Sequence, residues 1–349
     1  IRETGEELGR GSYAAVIEVH YKGMRCAAKK IYDILRGQGD RLVERFEEEC
    51  RLLGTLRHPH IVQFLGIYFD PATDLPVLVM EFLPATLAQC VDRYGRLPAE
   101  ICYAILRDVA LGLRYLHEQR PRLIHRDLSA NNVLLTGDMA AKISDLGVAK
   151  ILQINPAEMS RMTQTPGTQS YMPPEALRPN PQYDIEVDVF SFGVMMVHVL
   201  SGQWPFPSEA TRVDPRNPAA VIGVSEVERR AQYLDVIGRP SDEEEGHPLM
   251  ALIERCLSNS PNLRPNASEL VERMSDASAQ RPLTFSNRVD MMQRIDSIQT
   301  EKETLQTRSL RAGGTGRTRP GSTERTDRAE PATRGSSGSG GGAAEIASR

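Results

Sequence analysis

The stretch HRDLSANNVLL, His125 to Leu135, sets an imidazole, a guanidinium and a carboxylate side by side, adds two asparagines and then turns apolar. After Asn132 come VLL, the turn-rich TGDMA, then AKIS and Asp145. Two short apolar runs around a tight turn predict a hairpin, and a hairpin returns Asp145 to the side of Asn132. An amide oxygen and a carboxylate at neighbouring strand ends form an oxygen-donor pair suited to Mg²⁺, which keeps several waters and takes phosphate oxygens. Asp127, just upstream, is then placed to accept a proton or to orient a hydroxyl near a bound phosphate. Polar residues that merely cap a hairpin would explain the polarity of the stretch but not this arrangement.

Such chemistry needs elements that hold it. In GRGSYAAV, Gly9 and Gly11 allow close backbone approach to phosphates, and Ala14 stands where a third glycine could be. A dinucleotide fingerprint must open a helix, whereas AAVIEVHYKGMRCAAKKI reads as two strands around a turn at Gly23, so a hairpin lying over a nucleotide is the better reading. Alternation sends Lys29 and Lys30 to opposite faces of their strand, one toward a phosphate and one to water; two exposed lysines on an edge strand are the plainer alternative. From Leu42 to Leu56 the spacing becomes helical, and Glu49 lies near the apolar face, where an unpaired carboxylate is costly and a lysine partner resolves the cost. IVQFLGIYF and PVLVMEF read as strands joined by DPATDLP.

After Pro84 the pattern is mostly helical. Ile101, Ile105, Val109, Leu113 and Leu116 recur at helical spacing, and Val187 to Leu200 is apolar nearly all round, as inside a large lobe. Val224 to Ile237 and Leu249 to Leu257 are further helical stretches. From Phe285 to Arg308 the chain is charged, with Met291, Ile295, Ile298 and Leu305 at roughly heptad spacing, which suits either a solvated single helix or self-association as a coiled coil. Beyond Ser309 almost nothing can be buried, and disorder is expected.

Bulk properties exclude some classes. A net charge of −4 gives no electrostatic reason to expect nucleic acid as partner. The longest apolar run is interrupted by Asp188, Ser191 and His198, short of the roughly 18 residues a membrane span needs. Five scattered cysteines without a C-x-x-C pair fit free thiols in a reducing cytosol, so a cytoplasmic location is expected. The start at Ile1, almost on the first motif, reads as an excerpt of a longer chain, which leaves membrane attachment through an upstream segment open.

Taken in order, these elements resemble the protein-kinase signature. The resemblance covers Leu8 to Met274: Gly9, Gly11 and Val16 of the loop, Ala27 and Lys29 of the V-A-I-K-like strand, Glu49, HRDLSANN, DLG at Asp145 to Gly147, PPE at Pro173 to Glu175, DVFSFG from Asp188, and CLSNSPNLRP ending at Arg264 and Pro265. It implies an α+β, bilobal fold with a β-rich N-lobe (1–83) and a mainly helical C-lobe (84–280), followed by a charged helical extension (281–308) and a disordered tail (309–349). It also implies a protein substrate and ATP.

By that resemblance Lys29 holds the ATP phosphates and pairs with Glu49, Asn132 and Asp145 bind Mg²⁺, and Asp127 receives the substrate hydroxyl proton. Gly9, Gly11, Val16, Ala27 and Leu134 line the cofactor site, Met80 closes the back of the adenine pocket, and Glu81 to Leu83 form the hinge. Asp188 anchors the catalytic loop, a helix N-cap being the plainer role, and Glu175 pairs with Arg264. Residues 145–175 resemble an activation loop with Ser160, Thr163 and Thr165 as phosphosites, whose phosphate could pair with Arg126. Leu146 replaces the phenylalanine of D-F-G. GTQSYMPPE resembles the serine/threonine type, while Ser129 stands where that type usually carries lysine. The implied activity is a tyrosine-kinase-like protein kinase favouring serine and threonine. The alternatives are tyrosine or dual specificity, or a pseudokinase scaffold, which would need a lost catalytic group.

Overall fold

The computed structural model describes residues 1–10, 14–31, 50, 53–71, 73, 76–146, 171–177, 184–204, 213–214, 217–221 and 248–313. Gly11, Glu49, Gly147, the three hydroxyl residues Ser160, Thr163 and Thr165, the stretch Val224 to Ile237 and the tail from 314 lie outside the described residues.

Five strands make the first sheet: β1 (Arg2–Arg10), β2 (Ala14–Tyr21), β3 (Met24–Ile31), β4 (Phe64–Phe69) and β5 (Pro76–Glu81), in the order β1-β2-β3-β5-β4. The tight β2–β3 turn uses two left-handed residues, Lys22 and Gly23 (φ 50° and 83°), the combination a two-residue hairpin with native twist requires. Register aligns Val16 with Lys29, Ala27 with Met80 and Lys29 with Leu78. Alternation puts Ala27 and Lys29 on one face, while Cys26 and Ala28 join Val19, Val77 and Val79 in a small core on the other. Lys30, on that second face, pairs with Glu3 (2.7 Å) and Asp70 (2.8 Å). Because β3 is central, the edge-strand reading of the two lysines does not hold.

A short β6 (Ala85–Thr86) follows, hydrogen-bonded to the predicted hairpin, β7 (Val133–Leu135) and β8 (Ala141–Ile143). Around it pack α1 (Leu87–Tyr94), α2 (Ala99–His117), α3 (Glu186–Ser201), α4 (Met250–Cys256), α5 (Ala267–Gln280) and α6 (Phe285–Gly313). All five periodic residues of α2, Ile101 to Leu116, are fully buried, and every residue of α3 from Val187 to Leu200 is buried, as its all-round apolar sequence demands. α2 hangs the hairpin in place: Asp108 Oδ2 accepts from Ala141 N at 3.2 Å, and a Cβ added at Gly112 would stand 2.8 Å from the His60 carbonyl. That carbonyl accepts from Ile143 N at 3.0 Å, so only glycine permits so close an approach. Among the described residues no helix is long and apolar enough to cross a membrane.

α6 corrects the reading of the charged extension. It is not a single helix solvated all round, because Met291, Ile295 and Ile298 are buried in the C-lobe core, while the side chain of Leu305 lies outside the described residues. The Tyr94 hydroxyl donates to the Arg294 carbonyl at 3.0 Å, the Arg294 guanidinium lies 5.0 Å from the Tyr94 ring centroid, and Asn287 bonds Glu100. The helix also runs to Gly313, past the expected limit of 308. Deleting a buried aliphatic side chain costs about 2–5 kcal/mol, whereas exposed surface changes stay within about 0.5 kcal/mol. Ile295→Ala is therefore expected to lower stability in urea unfolding by about 2–4 kcal/mol, with the exposed neighbour Asp296→Ala near zero. Equal, negligible effects would mean that α6 is not docked.

Candidate active site

Asn132 ends a 3₁₀ turn, Ala130–Asn132, and leads into β7; the pairings Val133 with Ile143 and Leu135 with Ala141 bring the far strand back beside it. Ser144 N donates to the Asn132 carbonyl at 2.8 Å and its hydroxyl to the same oxygen at 3.0 Å, so Asp145 follows directly beside Asn132, as the hairpin reading requires. The Asn132 amide donates to the Asp127 carbonyl (2.7 Å) and to Asp127 Oδ2 (2.8 Å), which orients the Asp127 carboxylate and leaves the amide oxygen unspent by those bonds. From the other sheet, Lys29 Nζ reaches Asp145 Oδ1 at 2.7 Å.

Asp188 holds the loop carrying Asp127. It has no exposed surface; Oδ2 accepts from His125 N and His117 Nε2, and Oδ1 accepts from Arg126 N, all at 2.9 Å. Two consecutive amide N–H groups converge on one carboxylate only if the chain turns sharply between them, and Arg126 takes a left-handed φ of 67°. The N-cap of α3 is Ile185, so the plainer role for Asp188 does not apply. His125 closes the loop by bonding the Ser144 carbonyl at 2.7 Å and accepting from Asp127 N at 3.2 Å. Asp145 is also left-handed (φ 61°), and each such residue stores roughly 1–3 kcal/mol of strain that surrounding bonds must offset.

The carboxylates differ in charge behaviour. Burial pushes Asp127 up to about 6 against the pull of His125 and its Asn132 hydrogen bond. Burial would also raise Asp145, but the Lys29 ammonium beside it holds this carboxyl below the usual range. Asp188 is likewise held low, its desolvation outweighed by His117 and the loop N–H groups.

Next to these groups lies a cleft lined by Gly9, Val16, Ala27, Met80, Glu81, Leu83, Leu134, Asn131, Ser144 and Asp145, so all the expected cofactor residues within the described set border it except Lys29. Lys29 lines the adjoining cavity together with Met80 and Asp145. Glu49, the expected lysine partner, and Gly11 are the site residues that fall outside the described set. Leu146 packs on the C-lobe core. Arg264, with no side-chain exposure, holds Glu175 through two N–H groups and also donates to the Glu186 and Ser258 carbonyls, a satisfied buried pair as expected.

Two features were not anticipated from sequence. Lys142 of β8 donates to both carboxylate oxygens of Glu81 at 2.7 and 2.9 Å, and Gln63 N donates to Glu81 Oε1 at 2.7 Å. Gln299 and Lys302 of α6 also line the cleft. Lys142 had only its place in a strand to mark it, and α6 is far away in sequence.

The chain is similar in sequence to known proteins. The family model described as protein kinase domain matches residues 2–274. Serine/threonine-protein kinase VIK of Arabidopsis thaliana is 31% identical over 274 residues, covering 76% of this chain and 58% of that protein. Serine/threonine-protein kinase 12 of the same plant is 31% identical over 271 residues, covering 77% and 54%. Salt tolerance receptor-like cytoplasmic kinase 1 of Oryza sativa subsp. japonica is 30% identical over 298 residues, covering 81% and 79%. The chain thus spans little more than half the length of the first two relatives.

An acid whose pKa is raised by folding is protonated more readily in the native state. Asp127 therefore adds stability below the ordinary carboxylate value near 3.8, and that contribution is lost as pH rises through about 6. A carboxyl-carbon NMR titration should give a midpoint near 6 for the resonance that Asp127→Asn removes. A midpoint near 4 would contradict the burial argument.

Proposed function

The chain belongs to the protein kinase family, and on that premise we propose that it transfers the γ-phosphate of ATP to serine or threonine hydroxyls of a protein substrate, with Mg²⁺ as the divalent ion. The observation that carries this reading is the meeting of Lys29 with Asp145 and of Asn132 with Asp127, two pairs joined by the Ser144 bond to Asn132, beside a cleft that Asp145 lines.

The cleft suits a planar base: Val16 and Ala27 supply one wall, Leu134 another, and Met80 borders the rear. Glu81 N is already spent on the Gln63 carbonyl (3.0 Å), and its carboxylate on Lys142, so that residue meets the base through its remaining backbone edge. Lys29 supplies the ammonium for the phosphates, and its present bond to Asp145 keeps both charges in place before any nucleotide arrives. A hard divalent ion fits the donors available, an ionised carboxylate at Asp145 and the amide oxygen of Asn132, with phosphate and water completing the shell. When bound, that ion would neutralise phosphate charge. Asp127, held by Asn132 and with its pKa at about 6, is mostly ionised at neutral pH yet basic enough to take the hydroxyl proton.

Preference for serine and threonine rests on the names of the relatives. Ser129, where lysine is usual in that type, is fully buried and presents nothing to a substrate. Residues 1–306 form one compact unit, which supports extending the working domain beyond 280 to include most of α6.

Incubation with labelled ATP, Mg²⁺ and a peptide library is expected to label serine and threonine. Asp127→Asn and Lys29→Met should each reduce kcat by about 10²-fold or more. Equal labelling by all three proteins would reject the roles assigned to Asp127 and Lys29, and labelling confined to tyrosine would reverse the specificity.

A further inference from the structure

α6 does more than close the lower lobe. Anchored by Met291, Ile295 and Ile298, it presents Gln299 and Lys302 to the same cleft that Ala27, Met80 and Leu134 line. Lys302 Nζ donates to Gln89 Oε1 at 2.9 Å and to the Pro84 carbonyl at 3.4 Å. Gln89 is already fixed: its Oε1 accepts from Thr86 N, and its own N–H donates to Thr86 Oγ1, a reciprocal cap that starts α1. Both partners of the Lys302 ammonium are neutral oxygens, and burial lowers its pKa below the ordinary lysine value. An ammonium carries three N–H donors, so these two bonds leave one for a ligand.

This step rests on the nucleotide reading above. A base against Glu81 to Leu83, with phosphates reaching Lys29 and Asp145, turns its sugar toward the polar part of the wall, where Thr86, Gln89, Gln299 and Lys302 stand. We infer that Lys302, with Gln299 beside it, hydrogen-bonds the ribose hydroxyls of the bound nucleotide, which makes α6 a wall of the nucleotide site and a determinant of sugar specificity. The docking of a helix whose Lys302 lies 213 residues after Gln89 thereby becomes part of ATP recognition.

The test compares calorimetric Kd values of the full chain for ATP and for 2′,3′-dideoxy-ATP. Wild type is expected to prefer ATP by about tenfold, the worth of one hydrogen bond from a charged donor. Lys302→Met keeps the aliphatic stem and should bind the dideoxy compound as wild type does, with the preference falling close to one. Lys302→Arg should retain most of the preference, and Gln299→Met should lower it by a smaller factor. A merely structural role for Lys302 would weaken both nucleotides equally, and an unchanged ratio in Lys302→Met would overturn the inference while leaving the nucleotide site intact. Equal wild-type binding of the two compounds would also overturn it. Failure of wild type to bind ATP at all would remove the underlying reading, and this one with it.

Discussion

One carboxylate with no exposed surface, Asp188, organises the functional end of this molecule. It receives the amide hydrogens of His125 and Arg126 and the His117 ring, and so fixes the turn of the loop between those two amides. A buried charge is stable only when its lone pairs are satisfied, so the loop must take this shape or leave the ion stranded. The left-handed turn at Arg126 is offset by those bonds, and Asp127 inherits its direction from them.

Around that anchor, opposite electrostatic environments separate two carboxylates of the same chemistry. Asp145 meets an ammonium and is held as an anion, as the metal ligand proposed above must be. Asp127 meets mainly desolvation and an amide, and becomes the more basic of the two. The proposed division of labour between a charge carrier and a proton acceptor rests on what each side chain touches. The hairpin β7–β8 keeps them adjacent, and α2 keeps the hairpin from drifting through Asp108 and the bare backbone at Gly112.

Much of this was legible in the residues. The VLL and AKI runs around TGDMA set the hairpin, the spacing of Ile101 to Leu116 set the buried face of α2, and the ordered motifs set the family. The environment of α6 was not legible. Four apolar residues at roughly heptad spacing describe a stripe but not what covers it, and the partners that flank it, Tyr94 and Glu100, are brought near only by the whole fold. Nor could the sequence distinguish a helix N-cap from a loop anchor at Asp188, because its partners are brought to it from α2 and the loop. Charge-neutralising pairs such as Lys142 with Glu81 leave no periodic trace, since one partner sits on a short strand and the other at a strand end.

That last pair has a mechanical consequence. Glu81 joins the end of β5, the approach to β4 through Gln63 and the C-lobe hairpin through Lys142 at a single point. Any rocking of the upper sheet over the lower helices that spares this junction must pivot close to it. Gly9 and Val16 above the cleft and Leu134 below it would then move by rotation about this ion pair and not by parting at it. A charged joint of this kind constrains how the two walls can open without preventing them from doing so.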